Sequence, residues 1–85
     1  IPDILEKKGI VPGIKVDKGL IDLIGFPGEK TTKGLDDLYE RLVAFKAKGA
    51  CFAKWRNVYS ISDWLPSRAT IQTGASALAQ YAAMC

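Results

Sequence analysis

The sequence predicts an α/β chain made of two consecutive parallel β/α units. Three observations carry this. Gly13-Ile14-Lys15-Val16-Asp17 and Phe52-Ala53-Lys54-Trp55-Arg56 read as short strands whose side chains alternate between two faces. Each comes just after a Lys-Gly pair, Lys8-Gly9 and Lys48-Gly49. Each is followed by a stretch with helical periodicity, and parallel strands joined through a helix make a right-handed crossover.

Taken in order, Ile1 to Lys8 reads as the last turns of a helix. Ile4 and Leu5 supply its apolar contacts, Lys7 and Lys8 suit its negative end, and Gly9 suits a left-handed stop. Ile10 to Asp17 is the first strand. Its run Ile10-Val11-Pro12-Gly13-Ile14 is apolar on both faces, which predicts burial. Pro12 has no N–H for a ladder, so it belongs near the strand start or at a bulge. Lys18 to Lys33 reads as a long loop with turns at Gly25, Pro27 and Gly28. Thr31 or Thr32 is a candidate cap for the helix that follows.

Gly34 to Lys48 is the clearest helix. Leu35, Leu38, Leu42 and Phe45 form one stripe, with Asp36 and Asp37 in the first turn and Lys46 and Lys48 in the last. Ala50 to Val58 is the second strand, and Tyr59 to Leu65 is a loop. Ser67 after Pro66 caps a helix from Arg68 to the end. Its apolar stripe reads as Ile71, Ala75, Leu78, Ala82 and Cys85. Gly74 in its interior should cost about 1 kcal/mol relative to alanine. Two strands and two helices do not close a core, so the chain reads as a single partial domain, residues 1–85, cut from a larger α/β protein.

Composition narrows the function. With 85 residues and 48% hydrophobic content, the chain is at most one globular domain. A formal charge of +3 with no basic run does not suggest nucleic acid. No apolar run approaches a membrane span. The absence of histidine removes imidazole acid–base chemistry and His-ligated zinc. Cys51 and Cys85 read as buried, reduced thiols, although a disulfide between them is conceivable.

The candidate site lies on the strands. Lys54 and Arg56 share one face with Phe52, while Ala53 and Trp55 take the other. Lys15 and Asp17 share a face, while Ile14 and Val16 take the other. In α/β folds ligands sit at the carboxyl ends of the strands, where these charges fall. Two cations about 7 Å apart at an effective dielectric of about 20 repel by roughly 2.4 kcal/mol. A basic pocket compensated by an anionic ligand answers that repulsion; a solvated surface strand answers it equally well. Asp17 is either an ion-pair partner of a neighbouring lysine or a support for the site. By chemistry alone, Lys54 also qualifies as an amine nucleophile.

Several motifs in register decide between these readings. Gly13 to Gly19, Gly34-Leu35-Asp36-Asp37-Leu38, Gly49-Ala50, Phe52 to Arg56 and Leu78-Ala79-Gln80-Tyr81-Ala82 resemble the class I fructose-1,6-bisphosphate aldolase family. Gln80 stands where that family's helix carries arginine, and Gly74 and Trp64-Leu65 also depart from its pattern. The resemblance implies a (β/α)8 TIM barrel, of which this chain would hold about the third and fourth strands and their helices. It implies a lyase of glycolysis that cleaves fructose 1,6-bisphosphate to dihydroxyacetone phosphate and glyceraldehyde 3-phosphate through a Schiff base. No cofactor and no metal are implied. Lys54 would be a catalytic lysine beside the Schiff base, and Lys15 and Arg56 would bind the distal phosphate and substrate oxygens. The Schiff-base lysine itself would lie outside this chain. A cytoplasmic homotetramer is implied for the parent enzyme. The alternative is a non-catalytic piece that retains only anion or partner binding.

Overall fold

The computed structural model describes residues 1–85. The elements run α1 Pro2–Lys7, β1 Gly13–Lys15, β2 Leu20–Asp22, β3 Lys30–Thr32, α2 Leu38–Ala47, β4 Phe52–Lys54 and α3 Arg68–Met84. β1 and β4 pair in parallel, with Gly13 beside Phe52, Ile14 beside Ala53 and Lys15 beside Lys54. This is the crossover that the periodicity predicts. β2 and β3 form a separate antiparallel pair, with Leu20 beside Thr32 and Asp22 beside Lys30.

That hairpin corrects the expected loop over residues 18–33. The β-branched residues Ile21, Thr31 and Thr32 suit a strand. Backbone bonds from Lys18 N–H to Lys33 C=O (2.8 Å) and from Lys33 N–H to Gly19 C=O (3.0 Å) close it at its base. Thr31 and Thr32 therefore belong to β3 and cap nothing. α2 begins later than expected, at Leu38, behind Asp37 in the left-handed region with φ 55°. Leu35 lies in the turn before it.

Helix ends follow the sequence more closely. Gly9 takes φ +73° beyond α1 and Gly49 takes φ +109° beyond α2. The Ser67 side chain accepts the Thr70 N–H and starts α3 at the expected residue. Pro12 sits just ahead of β1, where its missing N–H costs nothing, and its carbonyl accepts the Cys51 N–H at 2.9 Å.

The core is thin. Val16, Leu38, Ala77 and Pro12 are its buried apolar side chains, in a body of 49 × 24 × 17 Å. α3 packs on β3 and α2. Its inner face is Thr70, Gly74 and Ala77, continued by the half-buried Tyr81 and Met84. The expected stripe Ile71, Ala75, Leu78, Ala82 and Cys85 is exposed along its whole length, one residue out of phase. Helical spacing alone does not distinguish two adjacent stripes when one is built from Gly, Ala and Thr. Ile10 and Val11 are likewise exposed, because β1 pairs with β4 alone. Cys51 and Cys85 are free and exposed rather than buried. Cys51 lies just before β4, and Cys85 lies past the end of α3. No helix is long and apolar enough to cross a membrane.

Candidate anion-binding site at the strand ends

The parallel register puts the two lysines side by side. Lys15 ends β1, Lys54 ends β4, and they are direct cross-strand partners. Gly13, Lys15, Phe52, Lys54 and Arg56 are all exposed, whereas Ile14, Ala53 and Trp55 are half-buried on the opposite face. Trp55 stacks on Tyr81 of α3 with ring centroids 5.3 Å apart. The helix side of the sheet is thus the Trp55 side, and the cations project from the other. On that side Phe52 lies over Gly13, where an added Cβ would come within 2.2 Å of the ring.

Asp17 joins this cluster from below. Its side chain is 1% exposed, against 50% for Lys15. Oδ1 accepts Lys15 Nζ at 2.8 Å and the Gly19 N–H at 3.0 Å, while Oδ2 has no hydrogen-bond partner. Burial pushes the Asp17 carboxyl up, but the Lys15 hydrogen bond, the Gly19 N–H, the Lys15 charge and the Arg56 N–H together outweigh it. The net result lies below the ordinary aspartate value. Asp17 is therefore a carboxylate that orients Lys15. Lys54 and Arg56 belong to none of the three ion pairs of the chain.

The β1–β4 ladder stops because side chains take over its backbone groups. Val16 N–H still donates to Lys54 C=O at 3.0 Å. A continued parallel ladder would bring the Arg56 N–H to the Val16 C=O. Arg41 Nη1, from α2, occupies that carbonyl at 2.9 Å, and Arg41 Nη2 takes the Gly34 C=O. Beyond the ladder, the Arg56 C=O accepts Thr32 Oγ1 at 2.7 Å.

The hairpin that carries Thr32 is itself anchored. Glu29 is buried, and its two carboxylate oxygens accept the Ser67 N–H at 2.7 Å and Ser67 Oγ at 2.6 Å. These bonds and the nearby Thr70 hydroxyl hold the Glu29 carboxyl below its ordinary value, against the effect of burial. Ser60 Oγ donates to the Gly28 C=O at 2.8 Å. On the helix side, Asn57 Nδ2 donates to the Gly74 C=O at 3.1 Å, and a Cβ on Gly74 would lie 2.1 Å from the Tyr59 hydroxyl. Gly74 thus gives up helix propensity for a close approach. Sequence reasoning missed Glu29 and Thr32 as supports. They act on residues 38 and 24 positions away, so no local spacing marks them.

The chain as a whole resembles known proteins. The family model for fructose-bisphosphate aldolase class-I matches residues 1–85. Fructose-bisphosphate aldolase C-B of Danio rerio is 52% identical over 82 residues, covering 96% of this chain and 23% of that protein. Fructose-bisphosphate aldolase C of Rattus norvegicus is 53% identical over 81 residues, covering 95% of this chain and 22% of that protein. A fructose-bisphosphate aldolase from Plasmodium falciparum, solved in a ternary complex with TRAP and a small-molecule inhibitor, superposes with a TM-score of 0.93 at 44% identity. That match covers 98% of this chain and 24% of the other. The chain spans less than a quarter of the length of the relatives it matches. With the family model matching every residue, the chain belongs to the class I fructose-bisphosphate aldolase family.

Proposed function

We propose that this chain supplies two consecutive β/α units, about the third and fourth, of a (β/α)8 barrel that cleaves fructose 1,6-bisphosphate reversibly to dihydroxyacetone phosphate and glyceraldehyde 3-phosphate. As one partial domain, it brings the basic wall of the site and not the Schiff-base lysine. The observation that carries the reading is the register of Lys15 against Lys54, with Arg56 two residues on and all three on the face away from the helices. In a closed barrel that face is the interior, and its charges stand at the strand ends, where barrel enzymes bind substrate.

The chemistry follows from the side chains. Arg56 offers a planar fork to the phosphate remote from the ketose carbonyl. Lys15, held by Asp17, adds a point charge beside it. By the family resemblance, Lys54 works beside the Schiff base. Its ammonium stabilises the developing oxyanion and exchanges a proton with the carbinolamine formed on the other lysine. The family resemblance extends the reading to a cytoplasmic homotetramer of glycolysis that needs no cofactor.

Trapping decides the role of Lys54. In the full-length enzyme, dihydroxyacetone phosphate with borohydride should label a lysine outside this chain. Lys54→Met should cut turnover severely while leaving some of that label. An adduct mapped to Lys54 would make it the nucleophile and overturn the assignment. One observation favours a second, binding-only use: the Plasmodium falciparum relative was solved with TRAP. A full-length protein that binds a partner but neither traps nor cleaves the ketose phosphate would favour that use.

A further inference from the structure

We infer that Thr32, on the hairpin between β1 and α2, is a positioning residue for Arg56 and so sets how well the site reads the distal phosphate. The inference rests on the phosphate-binding role proposed for Arg56. Arg56 stands two residues past the last ladder pair, Lys15 beside Lys54, so sheet pairing no longer fixes its peptide. One side chain fixes it instead: Thr32 Oγ1 donates to its C=O at 2.7 Å. Thr32 is buried, at 7% exposed.

The support of Thr32 is rigid in turn. β3 pairs with β2, and Glu29, one residue before β3, is locked to Ser67 at the start of α3. The carbonyl of Arg56 is therefore tied through Thr32 to a hairpin clamped at both ends. Removing the hydroxyl frees the peptide to rotate and leaves a carbonyl unsatisfied. The guanidinium at the end of a long side chain amplifies that rotation, and bidentate phosphate contacts are sensitive to it. Lys54, still inside the ladder, is not touched.

The test uses the full-length enzyme with two substrates, fructose 1,6-bisphosphate and fructose 1-phosphate, which lacks the distal phosphate. Thr32→Val keeps the shape and removes the hydroxyl; Thr32→Ser keeps the hydroxyl. Thr32→Val should raise KM for the bisphosphate by about 3- to 10-fold, the range one hydrogen bond carries. Its kinetics on fructose 1-phosphate should stay within about two-fold, which also reports that it folds. Thr32→Ser should recover most of the loss. In an Arg56→Ala background, Thr32→Val should add nothing. Equal losses on both substrates, or an undiminished loss in that background, would overturn the inference. If Arg56→Ala itself fails to discriminate the two substrates, the phosphate role of Arg56 is what fails, and the inference falls with it. If Arg56→Ala discriminates and Thr32→Val does not, only the inference falls.

Discussion

Gly34→Ala tests the packing beneath the site. Gly34 takes φ +132°, a region that L side chains rarely adopt. Forcing alanine there costs about 1–3 kcal/mol. The added Cβ would also lie 2.9 Å from the Lys18 backbone nitrogen and 3.2 Å from Asp17 Cα. These are backbone atoms and cannot swing aside. Lys18 is tied to the base of the hairpin, and Asp17 to Lys15 and Gly19. Overpacking of this kind adds about 1–3 kcal/mol. The expected total is about 3–4 kcal/mol. Gly28→Ala is the control. Its φ of +78° also favours glycine, but nothing lies within 4 Å of its Cβ position. Strain alone there should cost about 1–2 kcal/mol. Urea unfolding of the full-length enzyme, followed by tryptophan fluorescence, measures both variants. At an m-value of about 3 kcal/mol per M, Gly34→Ala should drop the midpoint by about 1 M and Gly28→Ala by about 0.3–0.7 M. Equal midpoints for the two variants would show that the chain does not pass tightly behind Asp17, and the reasoning would be wrong.

Two further expectations concern charge and capping. The carboxyl of Asp17 is lowered in the folded state, so its contribution to stability is full above the unfolded value of about 3.9 and is lost as pH falls through the lower folded one. Asp17→Asn should therefore be less stable than wild type at pH 7, and the gap should shrink as pH falls below the unfolded value of about 3.9; a gap that does not shrink on acidification would deny the linkage. Ser67→Ala should cost about 1 kcal/mol as a lost cap on α3, and should also loosen the hairpin, because Glu29 loses its hydroxyl donor. Hydrogen exchange should then quicken at both Thr70 and the β2–β3 pair; faster exchange at Thr70 alone would show that the hairpin does not depend on this anchor.

Much of the site was legible in the chain itself, because its governing rule is local. Side chains alternate along a strand, so Lys54 and Arg56 had to share a face with Phe52, and Trp55 had to take the other. The start of α3 was legible for the same reason: Ser67 caps an N–H three residues on. What misled the reading was also local. The stripe Ile71, Ala75, Leu78, Ala82 and Cys85 is the more hydrophobic one, yet α3 turns Thr70, Gly74 and Ala77 inward. Close approach to Asn57 and Tyr59 selects small residues there, and hydropathy does not report fit.

The sequence by itself determined the two parallel β/α units, the cationic face of each strand and the family to which they belong. Alternation, periodicity and motif order are properties of neighbours in the chain. Only the tertiary structure decided that Lys15 pairs with Lys54 in register, that Asp17 is buried beneath Lys15, and that residues 18–33 fold into a hairpin holding Arg56 through Thr32. The hold of the hairpin on Arg56 and on α3 depends on hydrogen bonds between groups that the chain brings together from 24 and 38 residues apart. The Arg56 carbonyl lies beyond the ladder, where a backbone group must find its partner elsewhere in the fold.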